Sequence, residues 1–356
     1  MARIAAFLAM VAAGLAAVAA LNWWLDPLGD QYHGRFLTEA LGQPRPCMIA
    51  WGVLRPHSWG PYKLDLASRA DADVVVAGTS RVAKVRAWPN ERGFVNVGAP
   101  GEGADSLEGL FARLHERHRG KLTVYVGADL FWFGEGWRTA TWFDTSYLRD
   151  LKYLLSPGTT GATFRLLRRA PGAIRHPQKV LYTEIDRNAR ICVVDRGNSV
   201  LGGASAAWAP DGSLFFQEEI KGKPRVAAPL IDVLRPDLVG ARLSPRAMSA
   251  LGRALTNARA YGWTVVGFAA PFAPNSVRRL GSEAQTKRVY HDYRARMPGF
   301  FRRYGFRFLD FTDVASIPCA PEDFSPQDEG HPDAPCSMRI RRKLDAAAGV
   351  VPRIGP

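Results

Sequence analysis

The chain opens on a long apolar run: after Arg3 no charge appears until Asp26. Residues 4–25 are about the twenty positions that a helix needs to cross a bilayer. Trp23 and Trp24 stand at the outer end, where amphipathic rings favour the interface. Two readings compete, an uncleaved anchor and a signal peptide cut near Ala17-Val18-Ala19. The run is longer than a usual signal core, which favours the anchor. Either reading exports the remainder and argues against a soluble cytoplasmic protein.

Residues 26–72 are rich in Pro, Gly and Trp and carry little periodicity. From residue 73 short apolar runs alternate with helical patterns. Residues 73–77 and 94–97 read as buried strands, and 121–127 as a third. Between the last two, Leu107, Leu110, Phe111, Leu114 and His118 follow helical spacing, with Gly120 placed to end the helix. The alternation resumes with Ser244 as N-cap and Pro245 at the first helical position. A strand over 263–270, a helix over about 283–297, a strand over 306–311 and a helix over about 334–347 follow. Strands separated by helices predict an α/β fold, a flavodoxin-like doubly wound parallel sheet in an α/β/α sandwich.

The stretch from about 130 to 243 breaks the pattern. It holds an aromatic cluster, a helical pattern in SYLRDLKYLL, and Pro210-Asp211-Gly212, which supplies hairpin turn chemistry. We read it as a mixed helix and hairpin insertion. The organisation is then a membrane segment at 1–25, a juxtamembrane segment at 26–72, a domain at 73–347 carrying the insertion, and a tail at 348–356.

Composition narrows the partners. With 47% hydrophobic and 22% charged residues in 356, the chain has ample material for a core. The net charge of +14 suits an anionic partner, an acidic glycan or a lipid surface, or else an arginine-rich background scattered over the surface. Nucleic acid is set aside, because no basic run exceeds Arg341-Arg342-Lys343 and no aromatic-basic repeat accompanies it. Export permits disulfides among the four cysteines. Cys319 and Cys336 bracket one loop and are the expected pair; Cys47 with Cys192 follows by elimination. No CxxC suggests a metal, and Gly98, Gly101 and Gly103 run in the wrong order for a dinucleotide loop. No cofactor is expected.

The candidate chemistry gathers at the carboxyl edge of the sheet, where open α/β sheets bind ligands. Gly78-Thr79-Ser80-Arg81 ends the first strand, and Ser80 is either a helix cap or a nucleophile. A serine needs a base. His115 and His118 lack the HExxH pattern and are expected to face solvent; His291 lies on an amphipathic helix. His331 follows the last strand, and Asp328 precedes it by three residues, within reach of the imidazole Nδ1–H.

A serine after the first strand, glycines after the second and Asp328-Glu329-Gly330-His331-Pro332 before the last helix resemble the SGNH, or GDSL-type, serine hydrolases. The resemblance spans residues 73–347 apart from the insertion. It implies Ser80 as nucleophile, His331 as base and Asp328 as its orienting carboxylate. The oxyanion donors it implies are the N–H groups of Ser80 and Gly101, with Gly98 as second choice. One block departs from the pattern: an asparagine donor is normal where this chain has Asp129. An ionised aspartate only accepts. Either Asp129 turns elsewhere, toward Arg81, or another donor such as Asn275 replaces it, or catalysis has decayed.

A membrane-anchored member of this kind also resembles proteins of envelope D-alanylation and exopolysaccharide acetylation. That likeness implies a single-pass protein of a bacterial inner membrane with its domain in the periplasm. It implies ester hydrolysis or O-acyl transfer on an envelope or secreted polysaccharide, with a membrane acyltransferase as partner. Arg81, Asp129, Trp132 and Trp137 are the candidate substrate contacts, with Trp142 beside them as a further ring for a sugar. The rival reading is a decayed scaffold that binds a glycan or an acyltransferase.

Overall fold

The computed structural model describes residues 2–25, 47–50, 63–64, 66–67, 72–99, 103–118, 120–134, 147–169, 171–175, 190–192, 206–209, 211–216, 242–313, 316–317, 319–325 and 328–355. The apolar run forms one helix, α1 (Ala2–Leu25). The alternating region then builds β1 (Val74–Gly78), β2 (Phe94–Asn96), α2 (Ala104–Arg117) and β3 (Thr123–Gly127). Within the insertion lie α3 (Tyr147–Leu155) and α4 (Pro157–Arg169). After it come α5 (Pro245–Ala260), β4 (Thr264–Ala269), α6 (Pro274–Ser282), α7 (Ala284–Arg303), β5 (Arg307–Asp310) and α8 (Ala334–Ala348).

The five strands form one sheet in the order β2-β1-β3-β4-β5, and every pair is parallel. All five carboxyl ends therefore share an edge. The strand order reverses at β1, whose neighbours are β2 and β3, and such a reversal opens a crevice beyond the strand ends.

The pleat divides the core in two. Val75 and Ala77 of β1 face a cluster with Leu107, Leu110, Leu251, Leu255, Tyr293 and Phe301, from α2, α5 and α7. Val74 and Val76 face the opposite cluster with Val266, Phe268, Ile340 and Leu344, the last two from α8. Helices thus cover both faces. That is why the strands read as near-continuous apolar runs and not as an apolar-polar alternation.

Two expectations change. No regular helix follows Ser80; a single 3₁₀ turn spans Ser80–Val82. The Asn96 side chain donates to Val82 O at 2.8 Å and Val85 O at 2.7 Å, taking two carbonyls that a helix would need. Second, the segment before the domain joins the insertion. Strand Cys47–Ala50 lies between Arg190–Cys192 and Ala206–Trp208 in an antiparallel sheet completed by Leu214–Phe216. The turn chemistry at Asp211-Gly212 makes its hairpin, with Gly212 at φ +80°. That hairpin docks on the sheet edge: Asn96 N donates to Asp211 O, and Leu214 N to Ala83 O, both at 2.7 Å. Buried Lys63 adds a bond from Nζ to Asn96 O at 2.9 Å. Cys47 and Cys192 stand directly opposite in the register.

Candidate active site

The site is built on the turn after β1. Thr79 caps it, its Oγ1 accepting from Arg81 N at 3.2 Å. Val82 plugs the turn into the sheet end, buried at 1% exposure. A Cβ at Gly98 would sit 2.6 Å from Val82 Cγ2, and one at Gly78 2.9 Å from it; Gly127 likewise closes on Val82. These glycines make room for Val82. In addition, the Gly98 N–H is spent on Asn96 Oδ1 at 2.8 Å, which removes Gly98 as an oxyanion donor.

Ser80 Oγ lies 2.8 Å from His331 Nε2, across 251 residues of chain. Both side chains are half-buried. His331 sits on the strand Asp328–Pro332, which pairs with Phe324–Ser325. The pairing jumps from Ser325 with Asp328 to Phe324 with Pro332, so residues 329–331 bulge out of the ladder. In a regular strand, positions three apart take opposite faces. The bulge lifts that constraint between Asp328 and His331. Of Asp328 only the backbone is described. Cys319 and Cys336 are disulfide-bonded, Cα atoms 5.1 Å apart, and their loop contains His331.

Arg81 is 4% exposed and all its directions are used. Nε donates to Gly330 O at 2.6 Å, Nη1 to Asp129 Oδ1 at 3.0 Å, and Nη2 to Ala270 O at 3.0 Å and Pro271 O at 2.7 Å. Its guanidinium stacks 3.6 Å from the Phe272 ring centre. One side chain therefore ties together the loops after β1, β3 and β4 and the hairpin of His331. Asp129 is 2% exposed and also accepts from Thr79 Oγ1 at 2.9 Å. Of the three alternatives for Asp129, its turning toward Arg81 is the one observed. This corrects the expectation that Arg81 and Asp129 contact substrate: their polar atoms are committed inward.

Other expected residues fall elsewhere. Trp132 is 2% exposed within the core cluster, which rules out stacking on a sugar, and its indole N–H has no partner among the described residues. Asn275 lies exposed in the first turn of α6, its Oδ1 taken by Arg278 Nη2. Gly101, Trp137 and Trp142 lie outside the described residues. His115 and His118 do not simply face solvent: His115 stacks on Tyr261 with centroids 3.7 Å apart, and His118 Nε2 meets Ala67 O at 2.6 Å.

Three contributors escape the sequence analysis. Asn96 shapes the turn, and its signal was a polar residue inside the buried run Phe94-Val95-Asn96-Val97. Lys84, 3% exposed, pairs with Asp333 Oδ1 at 2.5 Å. Arg81 and Lys84 thus hold the chain on either side of His331 from the same turn that carries Ser80. Nothing local marks Lys84 or Asp333, because they meet across 249 residues. Among the described residues no group of three or more His, Cys, Asp or Glu could hold a metal ion.

Searched against family models and against curated proteins, the chain matches none.

Proposed function

We propose that this protein is a membrane-anchored serine acyl-ester hydrolase or O-acyltransferase of SGNH type, with a flavodoxin-like doubly wound domain. The observation that carries it is the 2.8 Å approach of Ser80 Oγ to His331 Nε2 at the carboxyl edge of a parallel sheet. That distance is the one at which imidazole takes the proton of an attacking hydroxyl. In this reading Ser80 attacks an ester carbonyl, His331 accepts its proton and returns it to the leaving alcohol, and Asp328 holds Nδ1–H. The Ser80 and Gly101 N–H groups receive the oxyanion. An ester on an envelope or secreted polysaccharide is the substrate class, which the family resemblance supplies. The protein works from the outer side of a bacterial inner membrane, in the periplasm.

One observation favours a second reading, a decayed scaffold binding a glycan or an acyltransferase. Asp129 stands where a side-chain donor is normal and is locked to Arg81 at 3.0 Å. Loss of one oxyanion donor costs about 10²–10³ in rate.

The deciding experiment is reaction of the full chain in detergent with a fluorophosphonate, read by intact mass for wild type, Ser80→Ala and His331→Ala. One adduct on wild type, absent from both variants, supports the enzyme. A folded wild type that takes no adduct sinks it in favour of the scaffold.

A further inference from the structure

The outer end of α1 is not free-standing. Val18, Ala19 and Leu21 are half-buried and Asn22 and Leu25 fully so, while Trp23 and Trp24 stay about half exposed, at 46% and 50%. Positions 18, 21, 22 and 25 form one helical face, and α3 and α4 cover it. Asn22 is 1% exposed inside an otherwise apolar run. Its Nδ2 donates to Leu154 O at 2.6 Å and Thr160 Oγ1 at 3.1 Å, and its Oδ1 accepts from Thr163 Oγ1 at 2.6 Å. Leu25 and Leu166 pack with Leu21 and Leu167 as a cluster separate from both faces of the sheet. Trp24 Nε1 donates to Ile174 O at 2.9 Å. These contacts tie the last turns of α1 to α3 and α4.

Depth follows from the helix rise. At 1.5 Å per residue, Val18 lies about 10 Å beneath Leu25 along α1. Interfacial helices sit about 5–10 Å into the boundary between headgroups and acyl chains. Where α1 spans a bilayer, as its length and composition allow, helices that touch its last two turns cannot stand clear of that boundary. Their outward side chains match the setting. Leu151, Phe164 and Ile174 are 49%, 62% and 52% exposed. Lys152, Arg165, Arg168 and Arg175 are exposed around them, and Asp150 is the one acidic residue in the sequence from 147 to 175.

We infer that α3, α4 and the turn Pro171–Ile174 form a foot lying in the membrane interface, with Leu151, Phe164 and Ile174 among the acyl chains and the four cations on anionic phospholipid headgroups. A foot locked to that helix through Asn22 adds a second membrane contact beside the span. The inference needs no catalytic assignment.

The test places p-benzoylphenylalanine at position 164, and separately at Val351, which is 85% exposed on the C-terminal tail. Each full chain is reconstituted in phosphatidylcholine vesicles containing a minor share of phosphatidylglycerol, irradiated and read by intact mass. A phospholipid adduct is expected several-fold more often at 164 than at 351. It should fall several-fold in vesicles without phosphatidylglycerol, and in an Arg165→Glu, Arg168→Glu background with an unchanged melting temperature. Equal adducts at both positions, with α1 shielded from added protease, would overturn the inference. So would irradiation in native membranes that joins position 164 to a protein and not to lipid. A yield indifferent to phosphatidylglycerol would overturn the headgroup assignment.

Discussion

Arg81 Nε donates to the carbonyl of Gly330 at 2.6 Å, so the turn that presents Ser80 also holds the residue before His331. The same guanidinium faces Asp129 and two carbonyls after β4. A planar fork with several fixed donors meets this geometry, whereas an ammonium is a point charge.

Arg81→Lys should therefore keep the charge and lose the positioning. The expected result is fluorophosphonate labelling slowed at least tenfold with the adduct still on Ser80, and a lower melting temperature. Arg81→Ala leaves Asp129 buried and unpaired, at a cost of about 3–5 kcal/mol in urea unfolding. Labelling by Arg81→Lys at the wild-type rate would show that Gly330 needs no such hold.

Asp129→Asn restores the side chain found in the resembled pattern, yet it should not raise reactivity. The side chain faces Arg81 and Thr79, and neutralising it leaves Arg81 buried without a counter-charge. We expect a loss of about 3 kcal/mol by the same reasoning and labelling no faster than wild type. Faster labelling would place position 129 at the oxyanion.

The Lys84–Asp333 pair predicts a split between binding and reaction. Asp333→Asn removes the charge at 2.5 Å from Lys84 Nζ without touching Ser80 or His331. The limiting labelling rate should drop while the probe concentration at half-maximal rate stays fixed. A change confined to the latter would assign the pair to binding.

Reduction of Cys319–Cys336 releases a closed loop with a sequence separation of 17 that contains His331. A loop of that length stabilises by about 3 kcal/mol. Cys319→Ser with Cys336→Ser should lower the melting temperature and the labelling rate together, and dithiothreitol should do the same to wild type.

Glu91 gives a pH signature away from the site. Burial holds its carboxyl above the ordinary 4.5, against the pull of Arg341 and the Trp88 N–H. Protonated Glu91 is thus favoured by folding, and its contribution is whole below pH 4.5 and lost as pH rises through the raised value. Glu91→Gln mimics the protonated form. Its stability relative to wild type should improve across that rise, measured by urea unfolding at several pH values; a gap independent of pH would refute the assignment.

The amino-acid pattern determined what depends on near neighbours. Valine runs bounded by Gly and Asp gave β1 and β3, Ser244-Pro245 started α5, and Asp211-Gly212 turned its hairpin, because burial period and turn chemistry act within a few residues. Ser80 and His331 were legible as candidates because each follows a strand at the same sheet edge. Tertiary structure alone decided what each neighbouring group does. Arg81 and Asp129 read as exposed chemistry but cancel each other in the interior, since a buried charge must find a partner wherever the chain supplies one. Trp132 reads as a sugar platform but fills the core. Asn22 passes unremarked inside the apolar run, because its partners stand more than a hundred residues away and only the packed chain brings them to it.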